Sequence, residues 1–183
     1  MSEELIVRHC SPTLAGIKTG SLFRCPCESH EKLREDIRRL NRRLAGKGIC
    51  FLALKVEDGA ALIYVYRPAK LQADFADALA GDLLDMHGYA GHKPAQCVAR
   101  LARRLHESRD FPHEIGLFLG YPPEDVEGFI CKGPQCCKCT GCWKVYGDEE
   151  KAKCLFERYG KCTKVYLRAL SGGKTLEKLT VRS

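Results

Sequence analysis

ICFLALKVEDGAALIYVY, residues 49–66, is the stretch on which the fold class turns. Two apolar runs, 49–56 and 61–66, flank Glu57-Asp58-Gly59-Ala60, and Asp-Gly between such runs is a strong short-range hairpin signal. Both runs are almost continuously apolar, so the hairpin is expected to be covered on at least one face. A helix is predicted before it, over 28–45. There Leu33, Ile37, Leu40 and Leu44 recur at three- and four-residue steps opposite Arg34, Arg38, Arg39, Arg42 and Arg43, and Gly46 reads as the C-cap. After Pro68, a second helix is predicted with Leu71, Phe75, Ala78, Leu79, Leu83 and Met86 on one face, closing at the turn Gly88-Tyr89-Ala90-Gly91. Pro94 suits the first residue of a third helix that buries Val98, Leu101 and Leu105. The expected fold is α+β: several amphipathic helices packed on a small, mainly antiparallel sheet that includes the hairpin. Residues 1–183 are expected to form a single domain with a Cys-rich loop at 131–142.

Composition bounds the function. The chain is 45% hydrophobic and 29% charged, which is ordinary for a globular protein. The opening MSEELIVRHC lacks the apolar run of a secretory signal, and no stretch approaches the length of a membrane span. A cytoplasmic, membrane-free protein is therefore expected, and its twelve cysteines should stay reduced, bind metal or exchange. The formal charge of +7 permits an acidic protein partner. Nucleic acid is disfavoured, because no aromatic or Gly-rich recognition motif interleaves with the arginines.

Chemistry concentrates in 111–148, where Cys131, Cys136, Cys137, Cys139 and Cys142 lie close in sequence. Cys136, Cys139 and Cys142 match the first three positions of a bacterial iron–sulfur run, but Tyr146 stands at the fourth and no proline follows. Cys139-Thr140-Gly141-Cys142 has the spacing that aims two thiolates at one zinc ion. The leading expectation is a small metal-binding accessory protein, holding zinc or an iron–sulfur cluster in a redox or metal-handling role. Cys131 is the next ligand after those three, with Cys137 in the same crowd. A dithiol at Cys139 and Cys142 lacks the adjoining βαβ context that would strengthen it.

A second expectation is an enzyme pocket combining His9, Cys10, His113 and Glu114. Ser11 followed by Pro12 reads as a helix start, which would put Cys10 outside the positive end of a short helix, where a thiolate is favoured. His113-Glu114 begins like a zinc-protease motif, but Leu117 occupies the second histidine position, so that reading fails on spacing. His113 would then be a general base oriented by Glu114. The alternative is that Glu114 caps a helix opened by Pro112. A third expectation is an interaction module whose basic helix faces recruit an acidic partner or RNA.

Three blocks carry a resemblance: HCSPTLAGIKTGSLF near the start, FPHEIGLFLGYPPEDVEGFI in the middle, and GCWKVYGDEEKAKCLFERYGKCTKVY towards the end. Over nearly its whole length the chain resembles a bacterial domain-of-unknown-function family, number 3793, associated chiefly with anaerobes. The resemblance implies no activity. It does mark His9, Cys10, Lys18, His113, Glu114, Tyr121, Asp125, Trp143, Lys144 and Tyr146 as family-like positions. The crowded Cys136-Cys137-Lys138-Cys139 run departs from that pattern.

Overall fold

The hairpin turn is made by Asp58 and Gly59, both with positive φ (51° and 69°), as a turn that follows the right-handed strand twist requires. It joins β2 (Cys50–Glu57) to β3 (Ala60–Tyr66), and β1 (Gly20–Pro26) pairs along the other side of β3. The antiparallel order β1-β3-β2 makes the most apolar strand the central one. β1 has no counterpart in the sequence reading. The computed structural model describes residues 1–183 apart from Ala90, His92, Arg109 and Ser183, so the predicted turn at 88–91 lies partly outside the described residues. The chain divides into two compact units: Met1–Ala69 with Lys161–Ser183, and Lys70–Gly160.

The first unit holds the three-stranded sheet, α1 (Glu3–Leu14) and α2 (His30–Leu44). Ile6, Val7, Cys10 and Leu14 of α1 join Leu33, Leu40 and Leu44 of α2 over Phe51, Ile63 and Val65 of the sheet. Ser2 is the N-cap of α1, accepting from the Leu5 amide, and Ser11 and Pro12 lie in the last turn of that helix. The predicted helix start at Ser11 is thereby corrected: the apolar steps Ile6, Cys10 and Leu14 extend the helix upstream. Pro12 lies inside it, at the cost of one backbone donor and of crowding against the carbonyl four residues earlier. Ser29 caps α2, which continues into a 3-10 turn, Ala45–Lys47, and stops at left-handed Gly48 rather than Gly46.

The buried Arg67 guanidinium ties this unit together. It donates to the carbonyls of Thr13 (2.6 Å), Leu14 (2.8 Å), Lys47 (3.2 Å) and Val181 (2.9 Å). Carbonyls at the end of α1 have no partner within the helix, and a cation there also suits the helix dipole.

The single helix expected after Pro68 is two: α3 (Pro68–Asp74) and α4 (Ala78–Met86). Asp77 caps α4 through the Ala80 amide, and this restart turns Met86 out to solvent, correcting its place on the buried face. α5 (Pro94–Glu107) buries Val98, Leu101 and Leu105 as its spacing predicts. Then come α6 (Ile115–Phe118), α7 (Pro123–Lys132), and the two-stranded ribbon β4 (Cys139–Thr140) with β5 (Lys144–Val145). α8 (Glu149–Ser171) runs on through Gly160, which sits inside the helix without breaking it. Asp148 accepts from the Lys151 amide at its start. The last helix, α9 (Leu176–Leu179), returns Leu176 and Leu179 to the core of the first unit. No helix among the described residues is long and apolar enough to cross a membrane.

Candidate functional site

Asp125 builds the site. Residues Glu124 and Asp125 open α7 after Pro123, where acids suit a helix N-terminus. Asp125 is nevertheless buried, and its carboxylate faces the 143–147 segment. One oxygen accepts Trp143 Nε1–H at 2.7 Å; the other accepts the amides of Tyr146 (2.7 Å) and Gly147 (2.8 Å). Marked in the sequence only as a family-like position, Asp125 is a loop anchor.

Close packing completes the frame. A side chain at Gly128 would place its Cβ 2.4 Å from the Tyr146 ring, and one at Gly141 would place it 2.2 Å from Phe156. Tyr146 donates its hydroxyl to the Gly133 carbonyl (2.7 Å). The ribbon closes through Lys138 N–H to the Val145 carbonyl and Gly141 N–H to the Trp143 carbonyl.

The frame presents one side of Trp143 to a cleft of about 310 Å³, a size at the lower end of small-molecule sites. Tyr121 stacks on Trp143 with centroids 4.8 Å apart, and Phe156 meets the indole edge-on at 4.5 Å. Phe111, Ile115, Val126 and Phe129 supply apolar wall. Polar groups are few: His113, Lys144, and the Tyr121 and Asp125 side chains. Exposed His113 packs against the Phe129 ring at 4.8 Å. The Tyr121 hydroxyl donates to the Cys142 carbonyl (3.3 Å). Burial, helped by neighbouring Cys142 and Tyr159, pushes its pKa up to about 12, so it stays a neutral donor near pH 7.

His113 and Glu114 part company at the start of α6. Glu114 is buried, accepting the Tyr89 hydroxyl (2.7 Å) and pairing with the Arg104 guanidinium (3.0 Å). It neither orients His113 nor caps the backbone, since α6 has no side-chain cap at that position. Burial first, and then the bond to Glu114, raises the Tyr89 phenol.

His9 and Cys10 belong to the first unit. His9 stacks on Phe23 at 5.3 Å, and Cys10 is fully buried in the body of α1. Burial drives the Cys10 thiol far above its ordinary range, against the smaller opposite pull of Lys18. The expected activated thiolate is replaced by a core thiol. Lys18 donates to the Gly20 carbonyl at 2.7 Å.

The cysteine loop is solvent-facing. Cys131, Cys136 and Cys142 are exposed, and Cys137 and Cys139 half-buried. Among the described residues, no three His, Cys, Asp or Glu side chains are grouped to hold a metal ion. Cys137 Sγ lies 3.6 Å from Thr140 Oγ1 and 4.0 Å from Lys144 Nζ. Desolvation and then the Glu149 carboxylate raise the Cys139 thiol, which opposes thiolate formation there.

Sequence reasoning missed the apolar half of the cleft. Phe129 shares a face of α7 with Val126 at a three-residue step, which was the available signal. Phe111 carried none.

No curated protein and no solved structure matches the chain. A family model described as a protein of unknown function, DUF3793, matches residues 6–180, and on that match across almost its full length the chain belongs to this family.

Proposed function

We propose that this protein binds a small organic anion with a flat apolar body in the cleft beside Trp143. The observation that supports the reading most is the composition of the cleft: stacked Tyr121 and Trp143, aromatic walls at Phe111 and Phe129, and one lysine, Lys144. Aromatic faces favour planar ligands, and a lone ammonium in an apolar cleft favours a single negative group. Lys144 starts the short strand β5, next to the anchored Trp143, so its backbone is set beside the ring and both side chains line the cleft.

Titration with 8-anilinonaphthalene-1-sulfonate, followed by its emission and by quenching of the sole tryptophan, tests this directly. Saturable binding at one site is expected, weakened roughly tenfold in Lys144→Gln. Equal binding of the neutral anilinonaphthalene, or an unchanged affinity in Lys144→Gln, sinks the proposal. Circular dichroism would establish that the variant is folded.

The thiols support a second reading, a metal- or cluster-binding accessory role in the reducing cytoplasm. Cys131, Cys136, Cys137 and Cys139 are solvent-accessible to some degree, and Lys144 Nζ stands within 4.0 Å of Cys137 Sγ. Zinc or an iron–sulfur cluster would require the 131–142 loop to close around it. Zinc titration of the reduced protein, with a competing chromophoric chelator, separates the readings. Uptake abolished by Cys136→Ser with Cys139→Ser would favour the metal role; no uptake would leave only the cleft.

A further inference from the structure

A second groove, of about 320 Å³, lies in the first unit between α2 and β2. Its floor is aliphatic, made by Ile37, Leu52, Ala53 and Val56, which are all only partly buried. Its rim is basic, carrying exposed Arg34 and Arg38 with His30. We infer that this groove is a docking site for an acidic segment of another protein that carries aliphatic side chains.

The arginines of α2 divide into two sets. Arg39 pairs with Asp36, and Arg43 with Glu3 and Glu177, so these hold the unit together. Arg34 and Arg38 form no ion pair among the described residues, and both border the groove. Glu31 and Glu35, the acidic neighbours on the same helix, do not line it. An apolar floor under one sign of charge is complementary to an amphipathic segment of the opposite sign.

β2 is also an edge strand of its sheet, with a register shift between Ala53 and Lys55. Such an irregularity blunts open-ended strand pairing, so side-chain recognition in the groove carries the selectivity. Nucleic acid fits less well. Single strands are held by aromatic stacking platforms, and no Phe, Tyr or Trp lines this groove.

The inference is independent of the Trp143 cleft and stands or falls separately. Fluorescence anisotropy with a short labelled peptide of repeated leucine and glutamate tests it, beside the same peptide with serine for leucine and a single-stranded RNA oligonucleotide. The leucine–glutamate peptide alone should bind. Binding should fall at least about tenfold in Arg34→Glu with Arg38→Glu, and comparably in Ile37→Ser. Because Arg34 and Arg38 are exposed, charge reversal there leaves the core intact, which a thermal melt would verify. Absence of peptide binding, indifference to both changes, or preferential binding of the RNA overturns it. So does a dimer, seen by sedimentation, that Ile37→Ser dissolves.

Discussion

Asp125 holds Trp143 by its indole nitrogen at 2.7 Å while its other oxygen holds the backbone three and four residues further on, at Tyr146 and Gly147. One carboxylate thus sets both the ring that faces the cleft and the chain that leads away from it. Asp125→Ala removes the acceptor for three donors, two of them buried. A loss of about 3 kcal/mol is expected in urea unfolding, with a red-shifted tryptophan emission in the folded state. Stability within a few tenths of wild type would show that the loop is held by packing alone.

Gly128 tests the packing half of that frame. Alanine there meets the Tyr146 ring, at Cβ and Cγ, instead of a flexible chain end. Gly128→Ala should cost about 2 kcal/mol despite alanine's better helix propensity, whereas Gly160→Ala, with open space around it, should stabilise α8 slightly. Paired thermal melts would expose the opposite signs, and stabilisation by both would refute the close contact.

Arg67→Met takes the cation from the carbonyls of Thr13, Leu14, Lys47 and Val181. Each carbonyl loses a charged donor, and those of Thr13 and Leu14 keep only a backbone amide, so a loss of about 3 kcal/mol is expected. Hydrogen exchange should quicken at the Val181 amide, which donates to the Leu14 carbonyl. Protection unchanged at that amide would separate the tail from the arginine.

Acid should loosen the first unit through Glu177. Its hydrogen bond to Arg43 lowers its pKa to about 2, from an ordinary 4.5. A depressed folded-state pKa gives stability that is present above the unfolded value and is lost as pH falls from about 4.5 towards 2. The carboxylate is about one-third exposed, so screening limits the effect to about 1 kcal/mol or less. Glu177→Gln should therefore flatten part of the stability profile in that window and change nothing in the shape near neutrality. A profile that keeps its full slope would assign the acid sensitivity to other carboxylates.

Alkylation of the native protein with iodoacetamide should rank the thiols by access. Cys131 and Cys136, both exposed, should react at least about tenfold faster than Cys10 and Cys97, which are buried and whose thiols burial raises. Peptide mapping by mass spectrometry reads the order. Early labelling of Cys10 would contradict its place in the core.

The hairpin, α2 and α5 were legible because each is specified locally, by Asp58-Gly59 or by an uninterrupted apolar stripe. β1 was not: Gly20-Ser21-Leu22-Phe23 has no clear alternation, and its pairing with β3 is a long-range event. Ser11-Pro12 carries a genuine helix-start signature, yet Ile6, Cys10 and Leu14 gain more by facing the core from one longer helix. The cleft was half visible. Tyr121, Asp125, Trp143 and Lys144 were marked by resemblance, but that Asp125 reaches Trp143 depends on tertiary packing, which spacing does not encode. Likewise Glu114 follows His113 in sequence but turns inward to Tyr89 and Arg104.

The ribbon around the cysteine loop is fastened by a carboxylate, a phenol, backbone amides and tight glycine approaches, none of which involves sulfur. Serine at Cys131, Cys136 and Cys139 therefore leaves those fastenings in place, and the sulfur atoms are detachable fittings on a frame that stands without them.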